Sequence, residues 1–324
     1  MDIKRAAFAG SWYPASSYQC KEFIDKCLSE KKTISNGRFL GGIIPHAGWF
    51  FSGSIACRVI ASVALSQNFL LSNTQISSVK RDSTTGKQLD AIFIFGMHMN
   101  PKGTPCVMVN GAWQTPFGDL PIHESLATEF SLNLKSTANL DRNKIDRAIS
   151  IKIDSPSSFP EENTIELQLP FIKYFFPDSA IVPVGVPPCD VAERIGEIAV
   201  YSAEKLGLNI AIFGSTDMTH YGDNYGFTPA GSGTKPEDWK KSLDWVKNEN
   251  DPKAINAICE MNSTDIIFQG LKNRNLCCAG AVAAATSAVK KMGAVKGIPL
   301  EYATSYDKNP GASFVGYSGV LFSY

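Results

Sequence analysis

Residues 91–95 are AIFIF, an unbroken apolar run from Ala91 to Phe95 that ends at Gly96. Continuous apolar runs of this length are typical of strands covered by helices on both faces, because a strand with one face in water alternates apolar and polar residues. Three other runs have the same character, namely Phe39 to Ile44, Ala180 to Val186 and Asn209 to Phe213. These four runs predict the central parallel strands of a layered sheet.

Longer helical patterns fill the intervals between the runs, as in an α/β fold. They cover Ser17 to Glu30, Gly53 to Leu65, Glu124 to Leu134, Thr164 to Phe176, Val191 to Leu206, Asp238 to Lys247, Pro252 to Glu260 and Ala279 to Met292. Cys106 to Asn110 and Ser313 to Phe322 alternate or carry Gly and Ser, which favours edge or antiparallel strands. We expect an α/β fold of three α/β/α layers, with a mostly parallel central sheet, helices on both faces and antiparallel edge strands.

Composition bounds the domain count and the partners. The chain has 324 residues, 44% of them hydrophobic and 19% charged, which is enough apolar material for one large core. We expect a single domain over residues 1–324, with polar surface insertions at 66–88 and 230–237. Lys plus Arg and Asp plus Glu number 31 each. This balance disfavours nucleic acid or an anionic membrane as the principal partner.

Cysteine usage indicates the compartment. Eight cysteines are too few for a disulfide scaffold of this size, and Cys277 and Cys278 are adjacent. The apolar run from Leu276 to Val289 is shorter than the ~20 residues of a membrane span. We expect a cytoplasmic protein that does not cross a membrane.

The histidines carry most of the chemical information. Three of the four, His46, His98 and His220, come directly after a predicted buried strand, whereas His123 does not and is interpreted as structural. The carboxyl ends of parallel strands lie along one edge of an open sheet, where ligands usually bind. We therefore expect the three imidazoles to converge.

A metal site built on two histidines needs an anionic third ligand. Cys277 is the preferred candidate because it precedes a small-residue helix whose N-terminus favours thiolate, and Glu166 is the competing anion. For Cys278 the preferred interpretation is a buried, inert thiol. Imidazole and thiolate suit Zn, Cu and Fe.

Two other features border these residues. Asp217 and His220 share one loop, so the carboxylate either orients the imidazole as a general base or caps a turn. Trp12 and Trp49 either wall a pocket for a planar or phenolic ligand or belong to the core. Tyr221, next to His220, is assigned to the same pocket.

Seven motifs together resemble the Memo family, named for a mediator of receptor-driven cell motility. In chain order they are Ala9–Pro14, Pro45–Trp49, Ile94–His98, Thr115–Leu120, Glu162–Pro170, Ser215–Gly222 and Cys277–Gly280. The resemblance covers nearly the whole chain, from Arg5 to Phe322. It implies a single α/β domain similar to class III extradiol ring-cleaving dioxygenases, in which two His and a Glu hold non-haem Fe(II).

The resemblance also implies roles for residues of this chain. His46 and His98 match the two metal-site histidines of the family, and Cys277 matches its cysteine, at the place where the dioxygenases keep Glu. His220 matches the base histidine of the dioxygenases, with Asp217 beside it.

The chain departs from the family pattern near these positions. Asn163 and Thr164 stand where family members usually have His and Ser, which removes one imidazole that would contact a ligand or support the site. The segment around His98 is Gly-Met-His-Met, one residue shorter than the usual family motif.

Three hypotheses follow. The first is a Memo-like protein with a 2-His-1-Cys site for Fe(II) or Cu, acting on a small phenolic-type substrate by dioxygenase-like or oxidase-like chemistry. The second is a non-catalytic module that binds a peptide or a signalling protein in the same cleft. The third is a thiol hydrolase in which Cys277 is the nucleophile, His220 the base and Asp217 the orienting group.

Overall fold

The computed structural model describes residues 1–30, 37–66, 89–136, 148–233 and 235–324. Its strands in these ranges are β1 Ile3–Lys4, β2 Phe39–Ile44, β3 Ala91–Gly96, β4 Cys106–Met108, β5 Ala112–Trp113, β6 Leu120–Pro121, β7 Lys152–Asp154, β8 Ala180–Gly185, β9 Ile210–Ser215, β10 His220–Tyr221, β11 Lys296–Thr304 and β12 Phe314–Ser323. The four buried strands predicted from apolar runs are β2, β3, β8 and β9.

The α-helices of the described ranges alternate with these strands. They are α1 Ser17–Ser29, α2 Ser54–Ser66, α3 Glu124–Lys135, α4 Asn163–Glu166, α5 Leu169–Phe175, α6 Val191–Lys205, α7 Pro236–Trp245, α8 Asp251–Cys259, α9 Ser263–Phe268 and α10 Ala279–Lys291. The predicted helix Thr164 to Phe176 is two helices, because the chain turns at Leu167 and Gln168 before Pro170 enters the first turn of α5. Of the predicted insertion 66–88, only Ser66 lies within the described residues.

A sheet of nine strands, counted over the described ranges, forms the middle layer. Its order is β10-β12-β2-β9-β3-β8-β4-β7, and β11 also pairs with β12. The four strands β2, β9, β3 and β8 run parallel, whereas β12 is antiparallel to β2 and β4 is antiparallel to β8. The carboxyl ends of the parallel strands therefore meet at one edge.

Helices cover the sheet as a three-layer α/β/α fold. Helix α2 packs on β2 and β12 and is joined by α1 and α5, whereas α10 packs on β9 and β3 and is joined by α6. Strands β2, β3 and β9 are buried at every position, which explains their unbroken apolar sequences. The fold class predicted from the sequence is confirmed.

The segment Trp49–Ser66 is long and apolar enough to cross a membrane by length and composition alone, with a mean hydropathy of 1.4 over 18 residues. It contains α2, and 72% of it is buried inside the protein. Such burial is what the core helix of a layered domain requires, so packing against the sheet accounts for its composition.

Candidate functional site

Three neighbouring strands each place a polar side chain two residues past their carboxyl end. His46 follows β2, Asp217 follows β9 and His98 follows β3, and these strands are adjacent in the order β2-β9-β3. Cys277 comes from the other direction, just before α10, where its N–H donates to the Asp217 carbonyl oxygen at 3.2 Å. The four polar groups therefore meet at the carboxyl ends of three strands and just before the N-terminus of one helix.

Ligand-type atoms lie close together at this edge. The Sγ of Cys277 is 3.3 Å from the Nε2 of His46, and the rings of His46 and His98 have centroids 5.0 Å apart at 86°. Within the described residues, one ligand atom each from His46, His98, Cys277 and Cys278 lies within 4.8 Å of the other three. The structure thus brings together the three side chains named as metal ligands, and adds the neighbouring thiol.

The hydrogen bonds of His46 determine which nitrogen faces the cysteine. The Oγ of Ser215 donates to the carbonyl oxygen of Thr164 at 2.6 Å, so it accepts from Nδ1 of His46 at 3.0 Å. Nδ1 therefore carries a proton, and Nε2 is the ring nitrogen that faces Cys277. The ring is almost completely buried, which keeps this orientation.

The environment of Cys277 favours thiolate. Burial by itself would raise the pKa of this thiol, but the side chains of Cys278, His46 and His220 hold the pKa well below its ordinary value. The backbone N–H of Asp217 also donates to the Sγ at 3.2 Å. Cys278 is the opposite case, because burial and the neighbouring sulfur raise its pKa. The two adjacent thiols therefore have pKa values shifted in opposite directions.

His98 is the most exposed of these groups. Its side chain is 43% exposed, and its Nδ1 lies 3.6 Å from an oxygen of Glu162. Burial acts to lower the pKa of His98, but the nearby Cys277 sulfur and Glu162 carboxylate outweigh it and raise the pKa to about 10. The residue before it, Met97, has φ of 76°, a conformation that non-glycine residues rarely adopt. This backbone turns the imidazole towards the cluster.

Asp217 lies between two imidazoles. Its Oδ1 accepts the backbone N–H of His46 at 2.8 Å, and its Oδ2 is 3.9 Å from Nε2 of both His46 and His220. That distance exceeds a hydrogen bond, so Asp217 acts on His220 through charge and does not orient the ring by a direct bond. Burial raises the pKa of Asp217.

His220 is the first residue of β10, beside the cleft. Its Nε2 is buried and has no hydrogen-bond partner among the described residues. Burial acts to lower the pKa of His220, but the Cys277 sulfur and Asp217 raise it. His220 therefore lines the cleft with one ring nitrogen that no described residue contacts through a hydrogen bond.

The buried carboxylate of Asp251 stabilises the loop that carries Asp217 and His220. Asp251 accepts hydrogen bonds from the backbone N–H and hydroxyl of Thr219 and from the hydroxyl of Tyr302. Burial raises the pKa of Asp251 to about 6. The sequence did not indicate this contact, because the partners of Asp251 are up to 51 residues distant in the chain.

The cluster opens into a cleft of about 600 Å³. Trp12, Phe50, Phe51, Tyr225 and Tyr317 supply its aromatic walls, and Ser305, Asn309 and Ser313 are polar groups of the same lining. Trp12 is 42% exposed and Phe50 is 65% exposed, so the entrance is aromatic. This lining suits a planar ligand with a few polar groups.

Several residues assigned to the pocket lie elsewhere or act indirectly. Trp49 is in the core, stacked on Phe171 at 4.0 Å, because its Nε1 donates to the buried carbonyl of Leu167. Tyr221 stacks on Phe314, and its hydroxyl donates to the carbonyl of Gly231, so it packs under the loop and not in the cleft.

Within the Glu162–Pro170 motif, Glu166 lies in the protein interior and Asn163 lies at the cleft. Glu166 is completely buried and accepts from the N–H groups of Ala7 and Phe8 and from the hydroxyl of Tyr13, so it anchors the N-terminal segment. Asn163 does line the cleft, and its Nδ2 donates to the carbonyl oxygen of His46 at 3.3 Å. The carboxylate that reaches the cluster is Glu162, which also caps α4.

His123, interpreted as structural, is the N-cap of α3 and its ring accepts the N–H of Leu126. Sequence reasoning also missed Ser215, which directs the His46 ring. Its position two residues before Asp217 was visible in the motif, but the direction of a hydroxyl depends on the fold.

Comparison with known proteins adds relatives of the same length. A family model described as Memo-like protein matches residues 4–321. The chain is 28% identical over 328 residues to a MEMO1 family protein of Methanopyrus kandleri, covering 98% of this chain and 97% of that protein. It is 26% identical to a MEMO1 family protein of Pyrococcus furiosus over 98% of both chains, and 25% identical to one of Methanosarcina acetivorans over 99% of both.

Proposed function

Since the chain belongs to the Memo family, matched from residue 4 to 321, we propose that its cleft is a transition-metal site with redox chemistry. His46, His98 and Cys277 would hold the ion, in an arrangement that resembles the 2-His-1-carboxylate centre of extradiol dioxygenases. The observation that carries the proposal is the meeting of Nε2 of His46 with the Sγ of Cys277, 3.3 Å apart, beside His98.

The donor set fits such an ion. Ser215 holds the His46 proton on Nδ1, which leaves Nε2 free to donate its lone pair. Cys277 is poised as thiolate, the form in which sulfur binds metals. Glu162 contacts His98 from outside the cluster, as an outer carboxylate does when it orients a ligand imidazole.

Of the metals that imidazole and thiolate suit, Fe(II) and Cu fit the proposed redox chemistry, because Zn has none. Thiolate is softer than the Glu of the dioxygenases, and it disfavours Mg or Ca. When bound, such an ion supplies redox chemistry and a position for a small ligand. The protein's own part is to position a phenolic-type molecule in the cleft and to take a proton from its hydroxyl at His220.

All eight cysteines are free thiols, which supports the proposal of a reducing, cytoplasmic location. An intact thiol at Cys277 is also required for the ligand role proposed above.

Anaerobic loading with Fe(II) or Cu(I) followed by elemental analysis tests the proposal. We expect close to one ion per chain in the wild type and a large loss in Cys277→Ser. Cys259→Ser is the matched control, because Cys259 is a partly buried free thiol on α8. A folded wild-type protein that stays empty with both metals would refute the proposal.

A second candidate function is a binding module without catalysis. Asn163 replaces an imidazole at the cleft, and the entrance presents Trp12 and Phe50 to solvent, which suits a peptide or the loop of a signalling partner. Calorimetric titration of peptides distinguishes the two. Binding that survives metal removal, with no oxidase activity, would favour this function.

The thiol hydrolase has less support from the geometry. The imidazole nearest the Cys277 sulfur is His46, whose other nitrogen is bonded to Ser215 and not to a carboxylate. Asp217 reaches His220 only at 3.9 Å. The Cys-His-Asp relay that a thiol hydrolase requires is therefore not assembled by direct hydrogen bonds.

A further inference from the structure

We infer that Cys278 is a fourth protein ligand, so that the cleft is built around a four-coordinate 2-His-2-Cys centre for a Cu(I) or Zn(II) ion. This inference rests on the metal site of the proposed function, to which it adds a ligand; with Zn(II) bound, that site would lack the redox chemistry proposed above. It replaces the interpretation of Cys278 as an inert core thiol. Its basis is the placement of the two adjacent sulfurs and two imidazoles at one point.

The spacing of the two sulfurs fits one shared ion. Bonds from zinc to sulfur are about 2.3 Å, so two thiolates at a tetrahedral angle lie about 3.8 Å apart. The Sγ atoms of Cys277 and Cys278 are 3.8 Å apart. A thiolate and an imidazole on the same ion would be about 3.6 Å apart, and Cys277 and His46 are separated by 3.3 Å.

The movement that the four donor atoms would need in order to bind one ion is small. Tetrahedral edges of about 3.3 to 3.8 Å compare with a largest separation of 4.8 Å in the group, so the most distant donors must close by about 1 to 1.5 Å. The side chain of His98 is half-exposed, whereas the backbone N–H groups of His46, Cys277 and Cys278 are all hydrogen-bonded. In particular, the N–H of Cys278 donates to the Oγ1 of Thr216 at 3.1 Å.

The environment of Cys278 also differs from that of an inert thiol. Cys20, a buried cysteine of α1, donates its S–H to the carbonyl oxygen of Pro14. The sulfur of Cys278 instead has the sulfur of Cys277 as its neighbour, within reach of two imidazoles. A thiol in that position is available to a metal once its proton leaves to solvent.

A second thiolate changes which ion the site prefers. Two thiolates and two imidazoles form a soft tetrahedral set, which selects Cu(I) or Zn(II) over Fe(II). Four protein ligands also leave the ion without an open position, as in closed structural zinc sites. An external ligand would then bind only by raising the coordination number or by displacing one side chain.

Co(II) substitution counts the bound thiolates. We expect the sulfur-to-cobalt charge-transfer absorbance, per bound ion, to fall to about half in Cys278→Ser, because one of two thiolates is lost. Cys259→Ser should match the wild type. Azide should leave the wild-type spectrum unchanged and should shift that of Cys278→Ser, in which a position is open.

The outcomes separate this inference from the proposed function. Unchanged charge-transfer intensity in a fully loaded Cys278→Ser overturns the four-ligand centre and leaves the three-ligand site intact. A folded wild type that binds no ion overturns both.

If Cys278→Ser does not fold, X-ray absorption of the zinc- or copper-loaded wild type decides. Two sulfur neighbours support the inference and one refutes it. Loading with equimolar Zn(II), Cu(I) and Fe(II) then identifies the ion, and preferential retention of Fe(II) would contradict the soft-ligand argument.

Discussion

Replacing Gly280 by Ala should displace the start of α10 and disturb the site without touching any of its side chains. A Cβ at this position would lie 2.3 Å from the carbonyl oxygen of Pro187 and 2.5 Å from that of Val186, where ordinary contact begins at 3.4 Å. Both neighbours are backbone atoms at the end of β8, so the helix must retreat by about 1 Å.

Two opposing contributions determine how Gly280→Ala changes the free energy of unfolding. Alanine gains about 1 kcal/mol over glycine within a helix, and overpacking costs about 1–3 kcal/mol. Because the clash is with rigid backbone, we expect the upper end of the cost and a net loss of about 2 kcal/mol in the free energy of unfolding.

The effect on the site is larger, because Cys277 and Cys278 move with the helix. A retreat of about 1 Å would stretch the 3.2 Å contact from the Asp217 N–H to the Cys277 Sγ and the 3.3 Å contact to His46 beyond hydrogen-bond length. The Cys277 sulfur then loses the hydrogen bond from the Asp217 N–H, and the pKa of Cys277 rises. We expect slower iodoacetamide labelling of Cys277 at pH 7 and metal binding weaker by at least about tenfold.

Urea unfolding, labelling followed by peptide mass spectrometry, and chelator competition measure these three effects. Gly311→Ala is the control, since a Cβ there meets no atom within 4 Å. A Gly280→Ala protein that labels and binds metal as the wild type does would refute the claim that the close packing of α10 positions the cysteines.

Three further predictions address other parts of the site. Ser215→Ala leaves the buried Nδ1 of His46 without its partner, so chelator competition should show metal binding weakened about 10–100-fold; unchanged affinity would mean that the hydroxyl does not set the tautomer. The pKa of Asp251, raised to about 6 from 3.8, means that the folded protein holds this proton more tightly than the unfolded chain does, and stability should fall as pH rises from about 4 to about 6. This difference in pKa is equivalent to about 3 kcal/mol. Urea unfolding should therefore show that the wild type loses more stability between pH 4 and pH 7 than Asp251→Asn does, by about that amount. Equal losses in the two proteins would contradict the raised pKa of Asp251. Trp12 lines the cleft and is 42% exposed, so catechol should quench a component of the fluorescence that Trp12→Phe removes, and equal quenching in both proteins would place the ligand elsewhere.

Much of the fold could be predicted from the sequence because buried strands have a recognisable local pattern of apolar residues. Strands with both faces covered have to be apolar at every position, so Phe39–Ile44 and Ala91–Gly96 were recognisable within one residue of their ends. Strand β11, Lys296–Thr304, was not predicted from the sequence. It is half-exposed, contains Gly297 and Pro299, and among the described strands pairs only with β12. Its stability comes from a partner strand, which local sequence does not show.

The candidate ligands were likewise predictable from their positions after strands. His46 and His98 were placed in one site by the rule that parallel strands end at one edge, and the family resemblance agreed. The same logic failed for Trp49 and Tyr221, because a short sequence motif does not show which way a side chain points. Trp49 was assigned either to the cleft or to the core and Tyr221 to the cleft, and the structure packs both into apolar clusters.

Residue types and their order therefore indicated the layered fold, the family and three of the four clustered His and Cys side chains. Folding settled the distances, the proton position on His46, and the second sulfur beside the first. Those properties depend on atoms from β2, β9 and α10 that are up to 231 residues apart in the chain. A hydrogen bond or a shared metal ion requires ångström-scale placement, and such placement exists only when the packed layers hold these elements against one another.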